Sequence, residues 1–400
     1  MEYTPCQEKA KEDLQSFLLN PEADVIILSA PAGRGKSFLI ENELSNPTEV
    51  NEYARMLDLP EVSGVKMAAM SNKAAQVIKG VTFDSLYGLF PKPNFTTGGT
   101  VRTRKGGNGN PQFNKVIALD EAGMLDSDGL RHMGELSHNC KVILSCDQYQ
   151  LGPIGEAYSP IFDAGIEIIE MHTPVRQSEG SPLLMQCDAL REGVKNQVLM
   201  PLVESDEVIF VNDDQAEHFF ANMTPNDKVL TYTNELAIRL NQVVRNLKGV
   251  SGFWKVGERL VSNGIIKQGT TVVVSNEQEM TITEVGDHVI NEYGLDCVQV
   301  YTDIGGFNVP TDPNQLSQLL NKLRRAKDWH TYYAVKETVP DFRGTWSSTV
   351  HKSQGSTYGD VFINLNNLQK AKWQDKNLFL RLLYVAVSRA KGRVLLYGQL

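Results

Sequence analysis

The sequence predicts an α/β protein with parallel sheets, divided between two large domains that each carry an insertion. Three observations predict it. Short apolar runs such as DVIILS (24–29), KVIALDEAG (115–123) and KVILSCD (141–147) alternate with helical segments and end in polar residues, the pattern of a doubly wound sheet with ligands at its strand tips. At 400 residues and 41% hydrophobic composition, the chain exceeds the roughly 250–300 residues that one core can serve. The alternation also breaks twice. PKPNFTTGGTVRTRKGGNGNPQ (91–112) is rich in glycine and proline, and VRTR can pair with a neighbour across its GG and NGN turns as a hairpin. Over 249–337, KVGERLVSN, TTVVVSN, MTITEV and CVQVYTDI are closely spaced strands, as in a small β-barrel or sandwich inserted into a second α/β domain.

Composition narrows the function classes. A net charge of −9 argues against a generally basic nucleic-acid coat. Two segments are nevertheless locally basic: 91–115 with Lys92, Arg102, Arg104, Lys105 and Lys115, and 322–336 with Lys322, Arg324, Arg325, Lys327 and Lys336. Cysteines 6, 140, 146, 187 and 297 form no C-x-x-C pair, so they read as reduced packing residues rather than a disulfide framework or zinc site. No apolar run approaches the ~18 residues of a membrane span, and MEYTPCQEKAKED lacks a signal peptide's apolar centre. The expected location is the cytoplasm, with no membrane partner.

The first chemical signal follows DVIILS. SAPAGRGKSF (29–38) keeps Gly33, Gly35, Lys36 and Ser37 of a phosphate-binding loop, with Ala30 in place of the first glycine. In such a turn the backbone N–H groups surround phosphates, Lys36 reaches the β and γ phosphates, and Ser37 offers a hydroxyl to Mg²⁺. Alanine is tolerable at position 30 if φ there is negative. Next, Asp120 and Glu121 stand at the tip of an apolar strand, suited to holding Mg²⁺ and orienting the attacking water. Taken alone, acids at a strand end are equally ordinary helix caps. Gln150, in CDQYQLGPIG (146–155), is placed to sense a γ-phosphate, against the plainer reading of a polar loop. In the second half, Arg176 (TPVRQS) and Arg389 (YVAVSRAKG) are candidate arginine fingers, against the alternative of dipole partners or surface residues.

The order of these stretches resembles that of superfamily 1B DNA helicases of the RecD and Pif1 branch, and within it the Dda-like helicases of phages. TPCQEKA is similar to the Q motif, SAPAGRGKS to GPAGTGKT, ALDEAGM to the DE-containing motif, and CDQYQLGPI to GDxxQLPPV. TPVRQS, VLTYTNELAIRLN, STVHKSQGSTYGDV and LLYVAVSRAKG match later motifs in order. The resemblance implies two RecA-like P-loop domains: 1–88 with 114–170, and 171–248 with 338–400. It further implies a pin at 89–113 and an SH3-like domain at 249–337. ATP and Mg²⁺ are the implied cofactors, with Gln7, Ala32, Gly33, Arg34, Gly35, Lys36, Ser37, Gln354 and Gly355 on the nucleotide and Ser37 and Asp120 on the metal. Catalysis would fall to Lys36, Glu121, Gln150, Arg176 and Arg389.

Nucleic-acid contacts carried over in the same way are Ser71, Asn72, Thr82, Thr349, His351 and Lys352, with Phe95 or Phe113 of the pin stacking on the last base pair. A plain solvated loop competes with the pin reading, and interface packing competes with a strand-channel role for Trp329, Tyr332 and Tyr333. Ala30, Arg34, Cys146, Gly152 and Asp84 depart from the family pattern. Asp84 stands where the family has His, and its carboxylate would repel a phosphate backbone. The implied activity is an ATP-driven motor moving 5′ to 3′ on single-stranded DNA and opening junctions as a monomer, recruited by a single-strand-binding protein or a replisome. Two rivals remain: a nucleotide-gated clamp that grips DNA without unwinding, and a P-loop kinase.

Overall fold

The structure is a computed structural model and describes residues 3–31, 33–96, 99–153, 155–156, 158–173, 180–269 and 271–400. In the first half, β1 (Val25–Ser29), β2 (Lys66–Ala69) and β3 (Val81–Thr82) precede a hairpin of β4 (Leu89–Pro93) and antiparallel β5 (Thr100–Arg104). After it come β6 (Gln112–Phe113), β7 (Val116–Asp120), β8 (Ser137–His138), β9 (Lys141–Cys146) and β10 (Ile168–Glu170). Six strands form one parallel sheet in the order β10-β1-β9-β7-β2-β3. Its middle strands are covered on both faces, which is why β1, β7 and β9 read as unbroken apolar runs. The covering helices are α1 (Pro5–Leu19), α2 (Lys36–Ser45), α3 (Thr48–Met56), α4 (Asn72–Val77), α5 (Phe83–Leu86) and α6 (Ser127–Leu136).

The second half opens with α7 (Pro182–Asn196), β11 (Val208–Val211), α8 (Asp213–Asn222), β12 (Lys228–Thr231) and α9 (Asn234–Leu247). The chain then leaves for β13 (Arg259–Ser262), β14 (Ile266–Gln268), β15 (Thr271–Val274), β16 (Glu279–Ile290), β17 (Asp296–Thr302) and β18 (Gly305–Pro310). Helices α10 (Pro313–Arg325) and α11 (Trp329–Thr338) take up the basic segment before β19 (Phe342–Gly344). Closely spaced strands were expected here. They form an antiparallel sheet, β18-β17-β16-β13-β19, plus a separate β14–β15 ribbon that takes TVVV.

The return adds β20 (Ser347–Thr349), β21 (Val361–Asn364), α12 (Leu365–Lys372), α13 (Lys376–Val387) and β22 (Val394–Tyr397). They complete a second parallel sheet, β11-β22-β21-β12-β20. Helix α13 is apolar almost all round and accordingly lies buried, packed against α7 in one core. Among the described residues, no helix is long and apolar enough to cross a membrane.

Candidate nucleotide cleft and nucleic-acid interface

The turn between β1 and α2 has the expected shape. Gly33 and Gly35 take φ of 78° and 82°, a left-handed backbone that suits glycine, whereas Ala30 is not among the positive-φ residues. The missing first glycine is therefore harmless, and Ala30 N–H donates to the Cys146 carbonyl at 3.0 Å, tying the loop to β9. Lys36 Nζ folds back to donate to the Ala30 carbonyl at 2.5 Å and that of Pro31 at 3.3 Å. Ser37 Oγ donates to Asp120 Oδ2 at 3.4 Å, and Asp120 Oδ1 accepts from Ser145 Oγ at 2.9 Å and from Glu121 N–H at 3.0 Å. A hydroxyl and a carboxylate, both oxygen donors, fit the hard-cation chemistry of Mg²⁺ completed by phosphates. Glu121 itself sits at φ 54°, uncommon for a non-glycine residue and the kind of local strain that clusters at functional sites. Burial, then neighbouring Asp120, pushes its carboxyl above the ordinary range, while Arg389 and Lys36 pull it back.

That last influence places a group from the second half beside the acids of the first. Arg389 is 3% exposed and donates only to neutral acceptors: Val385 O at 3.2 Å, Ser356 O at 3.3 Å and Ser388 Oγ at 2.9 Å. It forms no ion pair among the described residues. Gly355 also meets the acids; a Cβ there would lie 3.7 Å from Glu121 Oε1. Next to it, Gln354 Nε2 donates to the Leu151 carbonyl at 3.3 Å. Gln150 is buried, its Nε2 3.4 Å from Asp147 Oδ2 and its Oε1 without a partner among the described residues. Gln7 is 2% exposed; its Oε1 accepts from Thr4 N–H at 3.0 Å in a capping box, leaving Nε2 buried and without a partner among the described residues. Such an orphaned donor fits an adenine acceptor. Ala32 and Arg176 lie outside the described residues.

Several groups at the seam were not singled out from sequence. Asp147, at the tip of β9, accepts from Tyr384 Oη at 2.6 Å and has Arg191 Nε at 3.6 Å. Arg381 Nη1 donates to the carbonyls of Gln148 at 2.7 Å and Gln150 at 2.5 Å. Arg34, expected on the nucleotide, turns its side chain away to pair with Asp188 of α7 at 2.5 Å. Only its backbone remains with the phosphate loop. Gly152, another departure, packs where a Cβ would come within 2.9 Å of Tyr158 Cα.

Of the strand-facing candidates, Ser71 and Asn72 begin α4 and Thr82 follows it at the start of α5. Ser71 caps α4, its Oγ accepting from Ala74 N–H at 3.2 Å, and Thr82 caps α5 by accepting from Ser85 N–H at 3.2 Å. A groove of about 830 Å³ separates Asn72, Lys73 and Thr82 from residues 275–279 of the insertion. Across it Asn72 Nδ2 donates to the Asn276 carbonyl at 3.3 Å and Lys73 pairs with Glu279 at 3.3 Å. Lys352 pairs with Glu277 at 3.2 Å. Thr349 is buried in β20, and burial lowers the His351 pKa, favouring neutral imidazole. Asp84, expected to repel DNA, instead accepts from Arg102 Nε at 3.0 Å. The basic look of 91–115 fades for the same reason, since Arg102 also pairs with Asp126 and Arg104 with Glu135.

On the hairpin, the exposed Phe95 ring stacks 6.2 Å from His330 and meets Tyr333 edge-on at 6.2 Å, while Tyr333 Oη donates to the Gly99 carbonyl at 2.8 Å. His330 and Tyr333 of α11 thus pack against the hairpin. Phe113 is on β6, not on the β4–β5 ribbon, and stacks 4.9 Å from His138.

Residues 4–213 match the AAA domain family, more than half of the chain. The chain belongs to that family. Residues 344–397 match the UvrD-like helicase C-terminal domain, and the two together make the chain an ATP-hydrolysing DNA helicase. The fold agrees. Pif1 helicase from Candida albicans is 16% identical, aligned over 100% of this chain and 96% of that one, with a TM-score of 0.53. Bacteroides Pif1 bound to ssDNA is 16% identical over 99% and 92%, with a TM-score of 0.50. At this identity the likeness is one of fold. No curated protein matches the chain.

Proposed function

We propose that this helicase is a monomeric motor, of the Dda-like kind found in phages, that moves 5′ to 3′ along single-stranded DNA and opens junctions during replication, recombination or repair. In this reading it works in the cytoplasm of a bacterial or phage-infected cell, recruited by a single-strand-binding protein or replisome. The observation that carries the reading is Arg389, buried without an anionic partner among the described residues and close enough to draw down the Glu121 carboxyl.

Lys36 and the Gly33–Gly35 backbone would hold the phosphates, and Gln7 Nε2 the adenine edge. Ser37 and Asp120 would hold Mg²⁺, which would supply neutralising positive charge to the phosphates. Glu121 orients the attacking water and takes its proton, and Gln150 reaches the γ-phosphate and senses its presence. Arg389, with Arg176, meets charge developing on the transferred phosphoryl group. A γ-phosphate held from both halves favours closure. Its loss lets the cleft open, and alternating grips on the strand turn that cycle into steps. Ser71, Asn72, Thr82, Thr349, His351 and Lys352 would make the strand contacts, Phe95 or Phe113 the wedge, and backbone contacts leave loading nearly sequence-blind.

Unwinding of forked duplexes with a 5′ tail, and none with only a 3′ tail, is the expected result; the reverse preference would reject the polarity. ATPase rates without nucleic acid, with DNA and with RNA test the substrate. DNA binding without stimulated turnover would favour a clamp.

A further inference from the structure

Helix α7 carries no motif chemistry, yet two of its side chains grip the first half at both phosphate-facing tips. Its own anchorage is in the second half. Leu183, Leu190 and Val194 share a core with Phe379, Leu383 and Tyr384 of α13, and its first turn is pinned by Glu207, which accepts from Ser181 Oγ at 2.5 Å and Leu183 N–H at 2.8 Å. Asp188 and Arg191 are three residues apart and so share one face of the helix. Asp188 pairs with Arg34, the residue between the two left-handed glycines of the phosphate loop. Arg191 approaches Asp147 at 3.6 Å and lies 4.5 Å over the Tyr149 ring. Arg34 and Asp147 follow β1 and β9, which are neighbouring strands.

The charges are crossed: acid on base at one strand tip, base on acid at the next. A helix slid or rotated from this position loses both pairs together, so the arrangement fixes one relation between the halves. Three of the four groups are desolvated as well, Arg34, Arg191 and Asp147 being buried, while the Asp188 side chain is half exposed. Buried charge left unpaired is strongly unfavourable, which gives the pairing its directional force.

We propose that Asp188 and Arg191 are positioning residues, a two-point clasp by which α7 sets how closely the Arg389 face approaches the triphosphate. The clasp rests on the reading that this cleft hydrolyses ATP, but its geometry can be tested without hydrolysis. The position-34 residue, a departure from the resembled family, is then explained by its partner on α7 rather than by the nucleotide.

The test compares the full chain with D188R, R34D and the R34D/D188R charge swap, each checked for folding by circular dichroism. Two readouts are taken: kcat and KM of the DNA-stimulated ATPase, and the nucleotide-free radius of gyration by small-angle scattering. A single reversal is expected to lower kcat about 10-fold or more, since small misplacement of catalytic groups is costly, and to expand the particle. MgADP affinity of D188R should stay within about 2-fold of the parent, because α7 is not asked to bind the nucleotide. The swap should recover both kcat and compactness. Reversals that change neither readout, or a swap that restores neither, would overturn the clasp. Scattering that behaves as expected in a chain with no ATPase would leave the clasp standing and remove the activity reading instead.

Discussion

The nucleotide cleft and the strand groove treat their charged groups in opposite ways. In the cleft, Arg389 has only neutral acceptors, and Gln7 Nε2 and Gln150 Oε1 have no partner among the described residues. In the groove the cations are already matched: Lys73 with Glu279, Lys352 with Glu277, and Arg102 of the nearby hairpin with Asp84. The first arrangement is preorganised for an incoming anion. A strand held in the second, as proposed above, would have to exchange an internal carboxylate for a phosphate.

Four variants break or sharpen that contrast. The largest effect belongs to Glu121→Gln, expected to lower DNA-stimulated kcat by about 1000-fold with ATP binding retained, as a lost general base should. Steady-state turnover and nucleotide titration check it. Next, Glu277→Gln with Glu279→Gln frees three cations, Lys73, Arg259 and Lys352. Single-strand affinity should rise at low salt, and the slope of log K against log salt should steepen by about 0.7 per freed cation. An unchanged slope would mean that these acids do not stand in for phosphate.

The pH profile is a smaller effect. Because burial and Asp120 raise the Glu121 pKa, and the working form is the carboxylate, kcat should fall with acid from above the usual carboxylate range. An acid limb at ordinary carboxylate pH would place Glu121 in a wetter site than this one. Smaller again is Phe95→Ala. Its ring packs on His330 and Tyr333, so loss of a stacking contact worth about 1 kcal/mol should slow unwinding a few-fold and leave ATPase untouched. Phe113→Ala, on β6 beside His138, should slow unwinding less.

What was legible in the sequence is what lies along the chain. The strand–loop–helix of residues 25–45 and the acids at the end of β7 are local signals, and each could be tied to its chemistry before the fold was seen. Strands β3 and β10 were not legible, being two and three residues long and too short to show a period. The seam was hidden for another reason. Asp147 and Tyr384 are 237 residues apart and Arg34 and Asp188 are 154 apart, so pairing acid with base required knowing which helix faces which strand tip. Asp84 shows the same limit in reverse, since its charge read as a liability only while Arg102 was out of view. The one signal available for Arg34 was its departure from the family pattern.

Arg389 carries the central claim, that the second half completes the site built on Lys36 and Glu121. The direct measurement is the DNA-stimulated kcat of Arg389→Ala beside its affinity for ATP. A fall of about 1000-fold in kcat with affinity nearly unchanged is the predicted result, the size expected of a guanidinium acting on the transition state. A variant that turns over ATP at the parent rate would contradict it.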